Sequence, residues 1–198
     1  MAGPLPLFPL PDAVPFPGIK IPLHIFEPRY VQMIRNILDS HGRFIYGTLI
    51  NEWEDNYFGT PDYADYACLV QVVDYKALAD DRYNIIVESV SRVMITKEVE
   101  SDFLYRQVEY EVRKFDLDHV TIDKEILMTM SAAFFEKNEA PDVAAKIIET
   151  FEIMKDKEIL AYLCYILPLG VEQKVRILEN DSPEQIEAFL MNWLSSAL

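Results

Sequence analysis

Cysteine is nearly absent from this chain, and its two representatives, Cys68 and Cys164, stand inside apolar runs. Neither has a neighbour at metal-ligand spacing, so a four-cysteine zinc centre is excluded and each thiol reads as a small buried hydrophobe. Glycine is scarce as well. None of the six, at positions 3, 18, 42, 47, 59 and 170, belongs to a phosphate-cradling loop, where glycines let backbone donors approach the phosphates and a lysine meets their charge. Histidine is limited to His24, His41 and His119, too far apart to set two metal ligands on one helix face. A structural role is expected for each, and no metal or cofactor is expected.

Positive charge is also in short supply. With 18 basic against 33 acidic residues the formal charge is −15, a field that repels phosphate backbones and anionic lipid. Nucleic acid and membrane surfaces are therefore not expected as partners. Long hydrophobic runs are missing too: Ile159 to Leu167 stops well short of the roughly 20 residues needed to cross a bilayer. No basic residue precedes Lys20 and no continuous apolar stretch resembles a signal-peptide core, so a cytoplasmic location is expected. Carboxylate pairs such as Asp80-Asp81 and Glu54-Asp55 follow from the acidic composition and read as solvated surface. Nothing in the chain supplies a nucleophile with its base, and no enzymatic activity is expected.

What is present is a large apolar complement. Hydrophobic residues make up 51% of the 198 positions, enough for one large domain or two small ones. Up to residue 116 the pattern is strand-like, with segments at Arg43 to Ile50, Tyr66 to Tyr75, Tyr83 to Val90, Val93 to Val99 and Phe103 to Phe115. In the last of these Val108, Tyr110 and Val112 alternate with charges and are expected to share a face. Reversals are expected at Ala79-Asp80-Asp81 and at Glu88 to Ser91. One helix interrupts the strands: Pro28 suits a first helical position, Tyr30, Met33, Ile34, Ile37 and Leu38 recur at helical spacing, and Gly42 can end the run. After Asp118 five helical segments follow, at 122–137, 141–155, 157–167, 171–180 and from Ser182, where Ser182-Pro183-Glu184-Gln185 reads as a capping box. The expected class is α+β, with a β-rich subdomain at 1–116 and a helical bundle at 117–198.

Three blocks carry a family resemblance. The first runs from Leu7-Phe8-Pro9-Leu10 through Phe16-Pro17-Gly18 to Phe26-Glu27-Pro28-Arg29-Tyr30, apolar segments punctuated by prolines and leading into a helix start. The second joins Tyr66 to Val73 with Arg82 to Val93, and the third is Leu167-Pro168-Leu169 with Glu172 to Glu179. They resemble the N-terminal, substrate-binding domain of Lon protease. The resemblance implies a PUA-like pseudo-barrel with one inserted helix followed by a C-terminal helical bundle, and a non-catalytic module associated with proteolysis. ATPase and protease sequences are not found beside it, so the module is expected to act without them. Ser89, Asp81 and Ala64 stand where the family has glycine, which raises the question of local turn geometry, although aspartate tolerates positive φ.

Two segments are candidate binding surfaces. At Phe26, Glu27, Arg29 and Tyr30 charged side chains lie between apolar neighbours; Glu27 and Arg29 either fix the helix entry or meet a ligand. The loop 52–66 holds Trp53, Tyr57, Phe58 and Tyr63 and no positive charge; its aromatics either fold back on the barrel or form a contact surface. The function implied by the resemblance is recognition of unfolded or partly folded protein segments with exposed hydrophobic residues, or of a protease or chaperone partner, with self-association as a further expectation. The rival readings are a small-molecule sensor, which needs a concave pocket with convergent polar groups, and a PUA-like RNA-binding module, which needs a basic stripe.

Overall fold

The computed structural model describes residues 3–114, 123–139 and 141–198. The composition change at 116–118, His119 and the expected helix start at Ile122 lie outside them. The described residues fall into two compact units, one within Met1–Phe115 together with Pro168–Glu179, the other within Asp116–Leu167 together with Asn180–Leu198. The first unit therefore takes one helix, α5 at Val171–Glu179, out of the stretch expected to be a separate bundle. A buried cation explains why. Arg92, only 2% exposed, donates from Nη1 to the Leu178 carbonyl at 2.9 Å and from Nη2 to the Lys114 carbonyl, so the end of α5 supplies acceptors that a buried guanidinium requires.

Six strands build the first unit: β1 Leu5–Leu10, β2 Lys20–Ile25, β3 Arg43–Thr48, β4 Tyr66–Ala77, β5 Tyr83–Val99 and β6 Gln107–Val112. They run in the order β2-β5-β4-β3-β1-β6, and a further β5–β6 pairing closes β1, β3, β4, β5 and β6 into a barrel. Closure depends on the length of β5. Its first half pairs with β2 (Ile21 opposite Val87) and its second half with β6 (Val93 opposite Val112), while β4 lines the other edge from Tyr83 to Met94. The reversal expected at Glu88 to Ser91 is thus corrected to a bulge: the register jumps between Leu69 opposite Ser91 and Val70 opposite Ser89, which bends one strand so that it serves two partners. Alternation in all five barrel strands points Leu5, Leu7, Ile45, Ala67, Leu69, Val93, Ile95 and Val108 into one interior cluster. Gly47 permits the closest approach there, since a Cβ at that position would stand 3.1 Å from Leu7 Cδ1. Of the face expected for Val108, Tyr110 and Val112, Val108 is buried in this interior cluster and Tyr110 packs half-buried against it, while Val112, at the end of β6, is exposed.

The inserted helix, α1, spans Pro28–Leu38. Its stripe of Tyr30, Met33, Ile34 and Ile37 is buried, and Tyr30 meets the barrel's outer face through Phe8, ring centroids 4.5 Å apart and edge-on. Gly42, at φ +64, returns its N–H to the Ile37 carbonyl at 2.8 Å, the left-handed close that only glycine takes without strain. Asp81 adopts φ +65 in the β4–β5 turn, a non-glycine residue in that region, while Ser89 and Ala64 keep negative φ.

The second unit contains α2 Lys124–Asn138, α3 Pro141–Ile153, α4 Asp156–Ile166 and α6 Pro183–Ala197. Phe134 meets Trp193 of α6 at 5.3 Å, and Phe151 of α3 meets Tyr162 of α4 at 5.9 Å. The α6 start keeps half of its expected box. Ser182 Oγ accepts from Gln185 N at 3.4 Å, but the Ser182 N–H turns to Asn180 Oδ1 at 2.8 Å, and Gln185 instead accepts from the Asn180 amide.

Candidate functional site

Phe26 to Tyr30 form the corner between β2 and α1. Glu27 is the cap residue of α1, in extended conformation, yet its side chain makes no capping bond. The carboxylate faces sideways instead. Oε2 accepts from Arg29 Nε at 3.0 Å and pairs with Arg29 Nη2 at 3.0 Å, while Oε1 accepts from the Tyr57 hydroxyl at 2.7 Å. The Arg29 guanidinium lies 4.6 Å from the Tyr30 ring centroid and 5.0 Å from that of Tyr57, a cation held between two aromatic faces. Arg29 Nη1 also reaches the Tyr57 carbonyl at 3.4 Å. Burial, and then the bond to Glu27, push the Tyr57 phenol above its ordinary range; burial does the same to Tyr30. The two candidate segments, read separately from the sequence, are therefore one cluster joined by Glu27 and Arg29.

Around this anchored core, apolar groups stand outward. Phe58 is 88% exposed and touches Tyr57 at 5.1 Å; Trp53, half-buried, meets Tyr57 from another direction at 5.8 Å. Tyr63 lies apart from them, packed against the barrel interior with the Arg106 guanidinium 4.6 Å above its ring. Phe26 is 60% exposed and stacks on His24, whose Nδ1 is 2.6 Å from Asn84 Oδ1.

The β5–β6 loop contributes residues that alternation had assigned to a strand. Residues 101–106 are irregular, and β6 starts only at Gln107. Tyr105 is buried and accepts from Asn36 of α1 at 3.0 Å, and the Leu104 N–H donates to Gln32 Oε1 at 2.8 Å. With its backbone thus tied to α1, the Leu104 side chain remains 64% exposed. Arg106 pairs with Glu98 through two bonds of 2.9 and 2.5 Å and donates to the Pro61 carbonyl at 2.7 Å. Together Arg29, Tyr30, Tyr57, Phe58, Leu104 and Arg106 enclose a cleft of about 100 Å³. One sequence signal pointed to this loop: Phe103-Leu104, two adjacent apolar residues, break the period of two on either side.

No group of three or more potential metal ligands occurs among the described residues. The Cys68 thiol, fully buried, is pushed up to about 12, far from a reactive thiolate. No described helix is long and apolar enough to cross a membrane.

A closed, bulged barrel with a helix inserted between β2 and β3, followed by helices, defines a class of α+β module seen in solved structures. The N-terminal domain of a Mycobacterium avium complex Lon protease superposes with a TM-score of 0.74 at 15% identity, covering 99% of this chain and 100% of that one. A Lon N-terminal domain protein from Xanthomonas campestris gives 0.69 at 21% identity, covering 97% and 99%. The family described as the ATP-dependent protease La (LON) substrate-binding domain matches residues 4–192, and the chain belongs to it. Lon proteases of Rickettsia bellii and Rickettsia conorii are 25% and 24% identical over 97% of this chain. The chain spans about a quarter of their length, 26% of each.

Proposed function

We propose that this chain is a non-catalytic recognition module that captures exposed hydrophobic segments of unfolded or partly folded proteins at the cleft between the 26–30 corner, the 52–63 loop and the 101–106 loop. The observation that carries the reading is the pairing of rigid support with apolar display: Phe58 and Leu104 are exposed at the rim of a cleft whose walls are fixed by Glu27, Arg29 and Tyr57. Burying large apolar side chains beside a partner is favourable by roughly 25 cal/mol per Å², and walls that need no reordering keep the entropic cost of binding low. Family membership supports a protein ligand; a protease or chaperone that receives the captured segment is the partner class that fits a substrate-binding module. The proposed setting is the cytoplasm, where buried free thiols such as Cys68 and Cys164 stay reduced.

The test uses Trp53 as a reporter in a Trp193→Phe background, titrated with an unfolded polypeptide of near-neutral charge. The Trp53 emission should shift on binding. Phe58→Ser combined with Leu104→Ser should weaken binding by more than about 1–2 kcal/mol, the scale of losing interface anchors, with an unchanged urea midpoint. Unaltered binding by that double variant overturns the assignment of the site.

A further inference from the structure

The cleft adjoins two wider hollows. On one side it shares Leu104 and Arg106 with a hollow of about 550 Å³ that contains Glu98, Glu100 and Asp102. On the other it shares Pro61 with a hollow of about 480 Å³ that contains Glu52, Trp53 and Asp62. The charges around these three spaces are unequal. The cleft's two cations, Arg29 and Arg106, are each met by a carboxylate, Glu27 and Glu98 respectively. Glu52, Glu100 and Asp102 are exposed, and among the described residues no ion pair engages them. At the cleft, Phe58 and Leu104 stand exposed beside the paired cations Arg29 and Arg106, and the hollow on either side of it carries uncompensated negative charge.

We propose that, within the recognition role given above and resting on it, the preferred occupant is an extended peptide segment with an aromatic or branched apolar centre and lysine or arginine on both flanks. Each part of the segment has a counterpart. The apolar centre covers Phe58 and Leu104. The flanking cations meet Glu100 and Asp102 at one end and Glu52 and Asp62 at the other. Exposed carboxylates add little to affinity one by one, but several of one sign around a cleft steer and select a partner of opposite sign. A flanking acidic residue is repelled at either end, so the same field discriminates against acidic segments.

The experiment measures binding of three labelled synthetic peptides to the full chain by fluorescence anisotropy. All share a Leu-Phe-Leu centre, and the flanks are lysine, serine or glutamate. At low salt the lysine peptide should bind about tenfold or more tighter than the serine peptide, the glutamate peptide weakest, and the spread should collapse near 1 M salt, where the screening length falls to about 3 Å. Glu100→Lys with Asp102→Lys and Glu52→Lys should reverse the order of the lysine and glutamate peptides. The milder Glu100→Gln with Asp102→Asn should reduce the salt dependence without affecting the serine peptide, which keeps the test valid if the reversal variant fails to fold. Equal binding of the three peptides, with the Phe58→Ser, Leu104→Ser effect intact, overturns the charge selectivity and leaves the site standing. Absence of binding by every peptide overturns both.

Discussion

The barrel interior and the rim of the cleft use the same kinds of side chain in opposite ways. Inside, Leu7, Ile45, Val93 and Val108 are wholly removed from water, and alternation along five strands is enough to place them. At the rim, Phe58 and Leu104 are held in water, and polar groups do the placing: the Glu27–Arg29–Tyr57 network on one side, Gln32 and Asn36 of α1 on the other. Apolar burial is stabilising wherever it occurs, and under the proposed function the exposed pair beside this polar scaffold is the surface whose burial awaits a partner.

The largest expected effect tests the interior. Leu7→Ala should cost about 2–5 kcal/mol of unfolding free energy, because the barrel strands cannot collapse onto the space left; a urea titration measures it, and a loss below that range would mean that the interior is loosely packed. Next is the buried polar group. Arg92→Ala removes the donor to the Leu178 and Lys114 carbonyls, and a buried acceptor such as that of Leu178 left without its donor costs about 1–3 kcal/mol. Substitution by methionine should recover packing but not those bonds, and should therefore remain destabilising.

Alkaline pH should divide the tyrosines between the two regions with a smaller effect. Burial raises Tyr30, and burial with the Glu27 bond raises Tyr57, above the ordinary 10.0. The folded state then holds these protons more tightly than the unfolded chain. Their contribution to stability is complete below pH 10 and is lost as the pH climbs through the raised values. Ultraviolet titration of the phenolates should find Tyr30 titrating late, and Glu27→Gln should bring both tyrosines earlier, Tyr57 the more because it also loses its hydrogen bond to the carboxylate. The smallest effect is at the rim itself. Phe58→Ser and Leu104→Ser should each change stability by less than about 0.5 kcal/mol; a larger loss would make them packing residues and erase the contrast.

The helices were the legible part of the sequence. Pro28, Pro141 and Pro183 each occupy a first helical turn, and apolar spacing gave the rest, because helix signals are local. The strands were harder wherever a distant partner decided the outcome. Pro6 and Pro9 interrupt β1 in sequence, yet it pairs parallel with β3 through Leu7 opposite Ile45. Ser89-Val90-Ser91 looked like a turn because a polar interruption in a strand pattern fits either a turn or a bulge, and only the second partner of β5 selects the bulge. At the candidate site, Glu27, Arg29, Trp53, Tyr57 and Phe58 stood out by residue type, but the Tyr57 to Glu27 bond that joins them spans 30 residues, and no local pattern encodes it. Leu104 and Arg106 were concealed by a strand pattern that starts four residues too early.

The bond from Arg92 to Leu178 joins positions 86 residues apart, with the whole of 116–167 belonging to the other unit. On a ribosome the barrel strands are available long before α5 is made. Until then the guanidinium has no Leu178 carbonyl to meet, and the early barrel must keep it hydrated or tolerate it without that acceptor. Loop closure over such a separation is slow relative to local pairing. The Arg92–Leu178 bond therefore cannot close before α5 exists, and a chain ending ahead of α5 would lack that acceptor for its guanidinium.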